Sequence, residues 1–162
     1  MYKRQPFGVV PDRYVDAKGA GAGASWTGDR GYIGAGVSGL RNNYGIPSGE
    51  GTHIELKQTR YDIAGETARP FTGIERIKFR IAQNDYEHSE IEPTGEVATT
   101  FKNKGSESRV ELQHTPFAGL KGAWGLQFQT RDFSALGEEA IIPKTKSRAS
   151  GCLLYTSPSP RD

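Results

Sequence analysis

The chain has 162 residues, 35% of them hydrophobic and 25% charged, with 21 glycines, a single cysteine and a formal net charge of +2. No run approaches the roughly eighteen apolar residues of a membrane-spanning helix, and one cysteine makes no disulfide framework. The hydrophobic share is low for a packed core, where about 45–50% counting glycine is usual; the 21 glycines make up part of the difference but bury little, while 10% aromatics and repeated alternation argue against a disordered chain.

Alternation of apolar and polar residues, the period of a strand, recurs along the chain. Residues 6–12 (PFGVVPD) read as a loop. Over 14–27, Ala20, Ala22, Ala24 and Trp26 share one face and Gly19, Gly21 and Gly23 the other. A sharp turn at 28–31 leads into 32–41, where Ile33, Ala35 and Val37 alternate with Gly34, Gly36 and Ser38. Residues 42–52 are rich in Asn, Gly, Pro and Ser and predict a long polar loop. The third strand, 53–64, alternates imperfectly. Ile54 and Leu56 fall on one parity and Tyr61 and Ile63 on the other, which a bulge or a strand rising above a membrane would reconcile. After 65–73, the strand 74–88 sets Ile77, Phe79 and Ile81 against Arg76, Lys78 and Arg80. A polar loop at 89–97 precedes the strand 99–114, in which Val110 and Leu112 alternate with Glu107, Arg109 and Glu111. The clearest strand follows a tight end at 114–122. Over 123–133, Trp124, Leu126 and Phe128 oppose Gln127, Gln129 and Arg131. A loop at 134–144 and the start of a seventh strand at 145–150 complete the pattern.

The two ends read as foreign. CLLYTSPSPRD at 152–162 resembles an in-frame translation of a transposon adapter used in sequencing libraries, and MYKRQ at 1–5 matches the other adapter end. The expected division is therefore 1–5 adapter-derived, 6–151 native and itself a fragment, and 152–162 adapter-derived. Taking Lys3, Arg4 and Arg161 from the 21 basic residues and Asp162 from the 19 acidic ones leaves eighteen of each. The sequence pI of 8.7 then says nothing about nucleic acid or anionic membranes, and no nucleic-acid partner is expected. Cys152 falls in the foreign tail and carries no chemistry.

The expected fold is all-β, a partial antiparallel transmembrane β-barrel of about six or seven strands. Tight connections at 28–31, 65–73 and 114–122 alternate with longer ones at 42–52, 89–97 and 134–144, as periplasmic turns alternate with external loops in an outer-membrane barrel. Arg76, Lys78, Arg80, Glu107, Arg109, Glu111 and Arg131 are expected to face a hydrated lumen, where they steer a ligand or form inter-strand ion pairs. Trp26, Ile77, Phe79, Trp124, Leu126 and Phe128 are expected to face outer-membrane lipid. The competing reading is a small soluble β-barrel or sandwich acting as a binding module, with the apolar faces turned inward. A passive porin-like channel is a third. No enzyme is expected: no nucleophile with a positioned base is legible, and GAGAG at 19–23 precedes no helix pattern.

NNYGIP at 42–47, HIELKQTRYDIAGE at 53–66, NDYEHSEIEPTGEVATTFKNKG at 84–105 and RDFSALGEEAIIPKTKS at 131–147 resemble TonB-dependent outer-membrane receptors, closest to the branch associated with zinc uptake. That resemblance implies a 22-stranded barrel plugged by a separate N-terminal domain. It also implies location in the outer membrane of a Gram-negative bacterium and energised uptake of a metal ion or metal complex. The energising TonB complex would act through an N-terminal region not present here. Zinc would be cargo rather than a resident cofactor.

Zinc takes histidine nitrogen and carboxylate oxygen. A turn centred near position 70 sets His53 and His88 opposite each other at the outer mouth, with Glu87 beside them, as candidate ligands. The same three residues also read as exposed polar groups on a hydrophilic rim, since no H-x-H or His-rich loop is present. His114 belongs at the opposite end.

Overall fold

The structure, a computed structural model, describes residues 13–47, 50–138 and 142–158. The adapter-like residues 1–5, the loop at 6–12 and the last four residues of the adapter-like tail lie outside the described residues.

Seven strands form a single antiparallel sheet in chain order: β1 (Val15–Gly28), β2 (Gly31–Gly45), β3 (His53–Ala68), β4 (Ile74–Ile91), β5 (Val97–His114), β6 (Leu120–Gly137) and β7 (Thr145–Pro158). The all-β expectation holds. The sheet is open, because β1 and β7 each pair on one side only. The longest strands have 18 residues, about 60 Å at 3.3 Å per residue.

The strands outrun the sequence pattern at most of their ends, β2 and β6 at both. Asn42 and Asn43, read as loop, pair with Leu56 and Glu55 in the β2–β3 ladder. The turns at one end are 29–30, 69–73 and 115–119, and the loops at the other are 46–52, 92–96 and 138–144. The expected contrast between short and long connections is therefore slight. The ladder absorbs residues whose side chains favour turns, because each added pair satisfies backbone groups that a loop would leave to water. β7 likewise runs to Pro158, through the adapter-like segment, since a backbone ladder accepts most side chains.

No bulge interrupts β3, whose registers with β2 and β4 are continuous. Register shifts occur instead at both ends of the β4–β5 pair, beside Glu75 and Ala98.

Tracing directly paired residues across the ladders assigns the paired residues of β1 to β6 to one of two faces. The Trp26 face carries the row Trp26, Ile33, Gly65, Phe79, Val110, Leu126, which crosses six strands without a charge. Ala24, Ala35, Ile63, Ile81 and Phe128 lie in the next row, and Ile77, Leu112 and Trp124 in the row toward the turns. All six residues expected to face lipid share this face. The band from Leu120 to Phe128 on β6 is about 27 Å along the strand, or about 20 Å of height at a tilt of 35–45°.

Nothing covers either face among the described residues. The only buried hydrophobic side chains there are Ala82 and Ala135. Trp26 is 70% exposed, Phe128 53% and Trp124 40%. The surface of 12550 Å² compares with about 7,900 Å² for a compact protein of 17.7 kDa. This is one layer of sheet with no core.

Gly65 shows how the band packs. It sits directly opposite Phe79, whose ring would lie 2.5 Å from a Cβ built there. The ring fills the space the missing side chain leaves. Gly65→Ala is expected to lower stability by about 1–3 kcal/mol in urea unfolding from detergent. In a Phe79→Ala background most of that loss should disappear. An equal loss in both backgrounds would show that the ring does not occupy the glycine's place.

Candidate functional site on the polar face

The opposite face, here the Arg76 face, gathers the charged residues singled out in the sequence. Arg76, Lys78, Arg80, Glu107, Arg109, Glu111 and Arg131 all lie on it. Lys78 pairs across to Glu66 on one side and Glu111 on the other, and Arg80 pairs with Arg109. Glu66 takes Arg76 at 3.2 Å and Lys78 at 3.6 Å. Arg109 meets Glu111 at 3.2 Å, Arg60 meets Asp62 at 2.7 Å, and Gln127 donates to Glu107 at 2.9 Å. These contacts are mostly exposed, so each is worth at most about 1 kcal/mol. Their combined effect is a densely charged surface with cations in excess.

Gly105 interrupts this surface. With no side chain between Asn84 and Arg131, a depression of about 230 Å³ opens, also lined by Arg60, Asn103 and Glu107. It presents guanidinium, amide and carboxylate groups together.

Toward the loops the same face changes character. Leu56, His88, Phe101 and Ala135 lie in one row, and Gln58, Tyr86, Asn103 and Phe133 in the next. The His88 ring stacks on Phe101 with centroids 4.6 Å apart and 21° between planes. Tyr86 meets His88 edge-on at 5.5 Å, and Phe101 leans toward Phe133 at 6.5 Å. Burial, with a smaller contribution from Tyr44, pushes the pKa of the Tyr86 hydroxyl up, two rows beyond the end of the apolar band. Three polar atoms in these rows are buried without a hydrogen-bond partner: Asn42 Oδ1, Asn103 Oδ1 and His88 Nδ1. Two amide oxygens accept, and the imidazole nitrogen donates or accepts by tautomer. An aromatic floor edged by such groups suits a ring-bearing ligand that donates hydrogen bonds.

The candidate zinc ligands do not converge. His53 pairs with Ile91, and His88 pairs with Leu56. The ladder is thus displaced by three residues from the register that sets the two histidines opposite each other. An odd displacement reverses faces. His53 and Glu87 lie on the Trp26 face, four positions apart in register, and His88 lies on the Arg76 face. Glu87 is held by Lys102 at 3.0 Å. Among the described residues no group of three or more His, Cys, Asp or Glu is placed to hold a metal ion. His114 lies at the turn end, its Nδ1 2.6 Å from the Thr115 carbonyl oxygen.

The aromatic rows escaped the sequence reading because their members come from four strands. The available signal was the parity switch of β3, where Ile54 and Leu56 fall on the Arg76 face. No protein-family model matches the chain.

Opposite faces make the two histidines independent. In a zinc titration followed by the His ring resonances, His53→Ala is expected to leave the His88 response unchanged, and the reverse. Loss of both responses on mutating either residue would mean that one ion bridges them. Phe101→Ala should also remove a ring-current shift from the His88 ring protons while leaving those of His53 in place.

Proposed function

We propose that this chain forms part of the wall of an outer-membrane β-barrel of the TonB-dependent receptor type, importing a metal complex. The observation that carries the wall reading is the uncharged band of exposed Trp, Ile, Phe, Val and Leu across the Trp26 face, backed by a charged face with no core between them. A soluble sheet hides such a band, whereas a barrel wall turns it to lipid and its polar face to water. The strands exceed the nine to eleven residues a bilayer requires, which leaves the loop-end half standing above it.

The receptor part of the reading rests on the sequence resemblance. The aromatic rows favour a metal complex carrying rings over a bare ion, because stacking and hydrogen bonding are what those side chains supply. His53, His88 and Glu87, set on two faces, supply no common coordination sphere.

Two experiments test this. With the chain in bilayers containing brominated lipid, both Trp26 and Trp124 should be quenched, as resolved with Trp26→Phe and Trp124→Phe. A soluble monomer in which neither is quenched would leave the binding module as the answer. Long-read sequencing of the source DNA should recover a reading frame with a plug-like domain preceding many more alternating strands. A frame without the plug would favour a passive channel.

A further inference from the structure

The loop-end half of the Trp26 face carries charge, and its pattern differs from one side of the sheet to the other. Over β4 to β7 the row Asp85, Lys104, Asp132, Lys146 alternates in sign. Lys104 lies 4.0 Å from Asp85 and Lys146 lies 3.5 Å from Asp132. That side neutralises itself.

Over β1 to β3 it does not. Lys18 pairs directly with Arg41, and Arg41 directly with Lys57. Directly opposite side chains have Cβ atoms about 4.5–5.5 Å apart, and like charges there repel. The next residue in the row, Glu87, is taken by Lys102 at 3.0 Å. Lys18 has Asp16 at 3.2 Å, in a pair that is largely exposed. Arg41 and Lys57 have no ion pair among the described residues. Three adjacent strands therefore hold three cations side by side, of which only Lys18 has an ion-pair partner among the described residues.

Their height is specific. The next row toward the turns is Ala20, Gly39, Thr59, small and uncharged, and the one after it is Ala22, Val37, Tyr61, the edge of the apolar band. The cations sit four residues beyond that edge, about 13 Å along the strand and about 10 Å in height at a tilt of 35–45°. Headgroups occupy about 5–8 Å on each side of the hydrocarbon. Arg and Lys stems reach back over such a distance to place their charges at headgroup level.

We infer that Lys18, Arg41 and Lys57 form a docking site for the headgroup phosphate of a membrane lipid of net negative charge, whose acyl chains lie against the band below. The Arg41 guanidinium offers a fork of parallel donors to phosphate oxygens, and Lys57 and Lys18 add point charges on either side. An anion between them removes the repulsion that the register builds in. The inference rests on the reading of the Trp26 face as lipid-facing.

Partitioning of the full chain into vesicles tests it. One set is phosphatidylcholine alone, and the other contains about one-fifth phosphatidylglycerol. Each cation at an anionic surface is worth about fivefold in partitioning. Arg41→Gln with Lys57→Gln should therefore lower binding to the anionic vesicles about twentyfold and leave binding to phosphatidylcholine unchanged. Lys104→Gln with Lys146→Gln, which removes cations already paired, should change anionic binding less than threefold. Inorganic phosphate at matched ionic strength should not displace the wild type. Equal losses for the two double variants would overturn the site and leave only diffuse attraction. Displacement by inorganic phosphate would overturn the lipid as occupant. Failure of the wild type to bind phosphatidylcholine vesicles would overturn the membrane reading beneath both.

Discussion

One continuous antiparallel ladder determines the rest of this structure. The strands are 14 to 18 residues long and pair with their chain neighbours along most of that length, and each direct pair shares a face. A choice made at one hairpin therefore propagates across all seven strands. Position along a strand sets height, parity sets face, and no side chain moves from one face to the other without a register shift. The two shifts in the β4–β5 pair lie at its ends, so they leave the body of the sheet in register.

Under that constraint the sheet carries two polarity patterns, one above the other. Near the turns the Trp26 face is apolar and the Arg76 face is charged. Near the loops the assignment reverses: Leu56, Tyr86, Phe101 and Phe133 occupy the Arg76 face while Glu87, Lys102, Lys104 and Asp132 occupy the other. On the proposed reading the reversal marks the height at which the sheet leaves the bilayer. There the outward face would meet water, and the inward face could hold apolar groups against whatever occupies the interior.

Much of this was legible in the sequence, and the limits have physical causes. Period-two alternation located all seven strands and put the seven charged residues and the six apolar ones on their respective faces. It failed at strand ends, where Asn42 and Asn43 favour turns locally but gain ladder bonds in the sheet. It failed again for His53 and His88. Which residues oppose each other depends on turn geometry, and a displacement of three residues across 69–73 exchanged one histidine's face for the other's. The β3 parity switch was visible, but the bulge offered to reconcile it is absent. The aromatic rows combine residues from four strands, so no local pattern announced them.

The open edges set a condition on the proposed reading. β1 presents an unpaired edge along 14 residues, and roughly half its backbone N–H and C=O groups point away from β2. In hydrocarbon each such group costs several kcal/mol without a partner. On the proposed reading the apolar band faces lipid, and the unpaired edges beside it are costly there. Further strands continuing the ladder until it closes would meet both demands. A ring of seven strands does not resolve the conflict, because about eight already fill their interior with side chains. The Arg76 face is instead lined with long charged groups and opens a depression at Gly105. Those groups need water around them, and a wide wall provides the room.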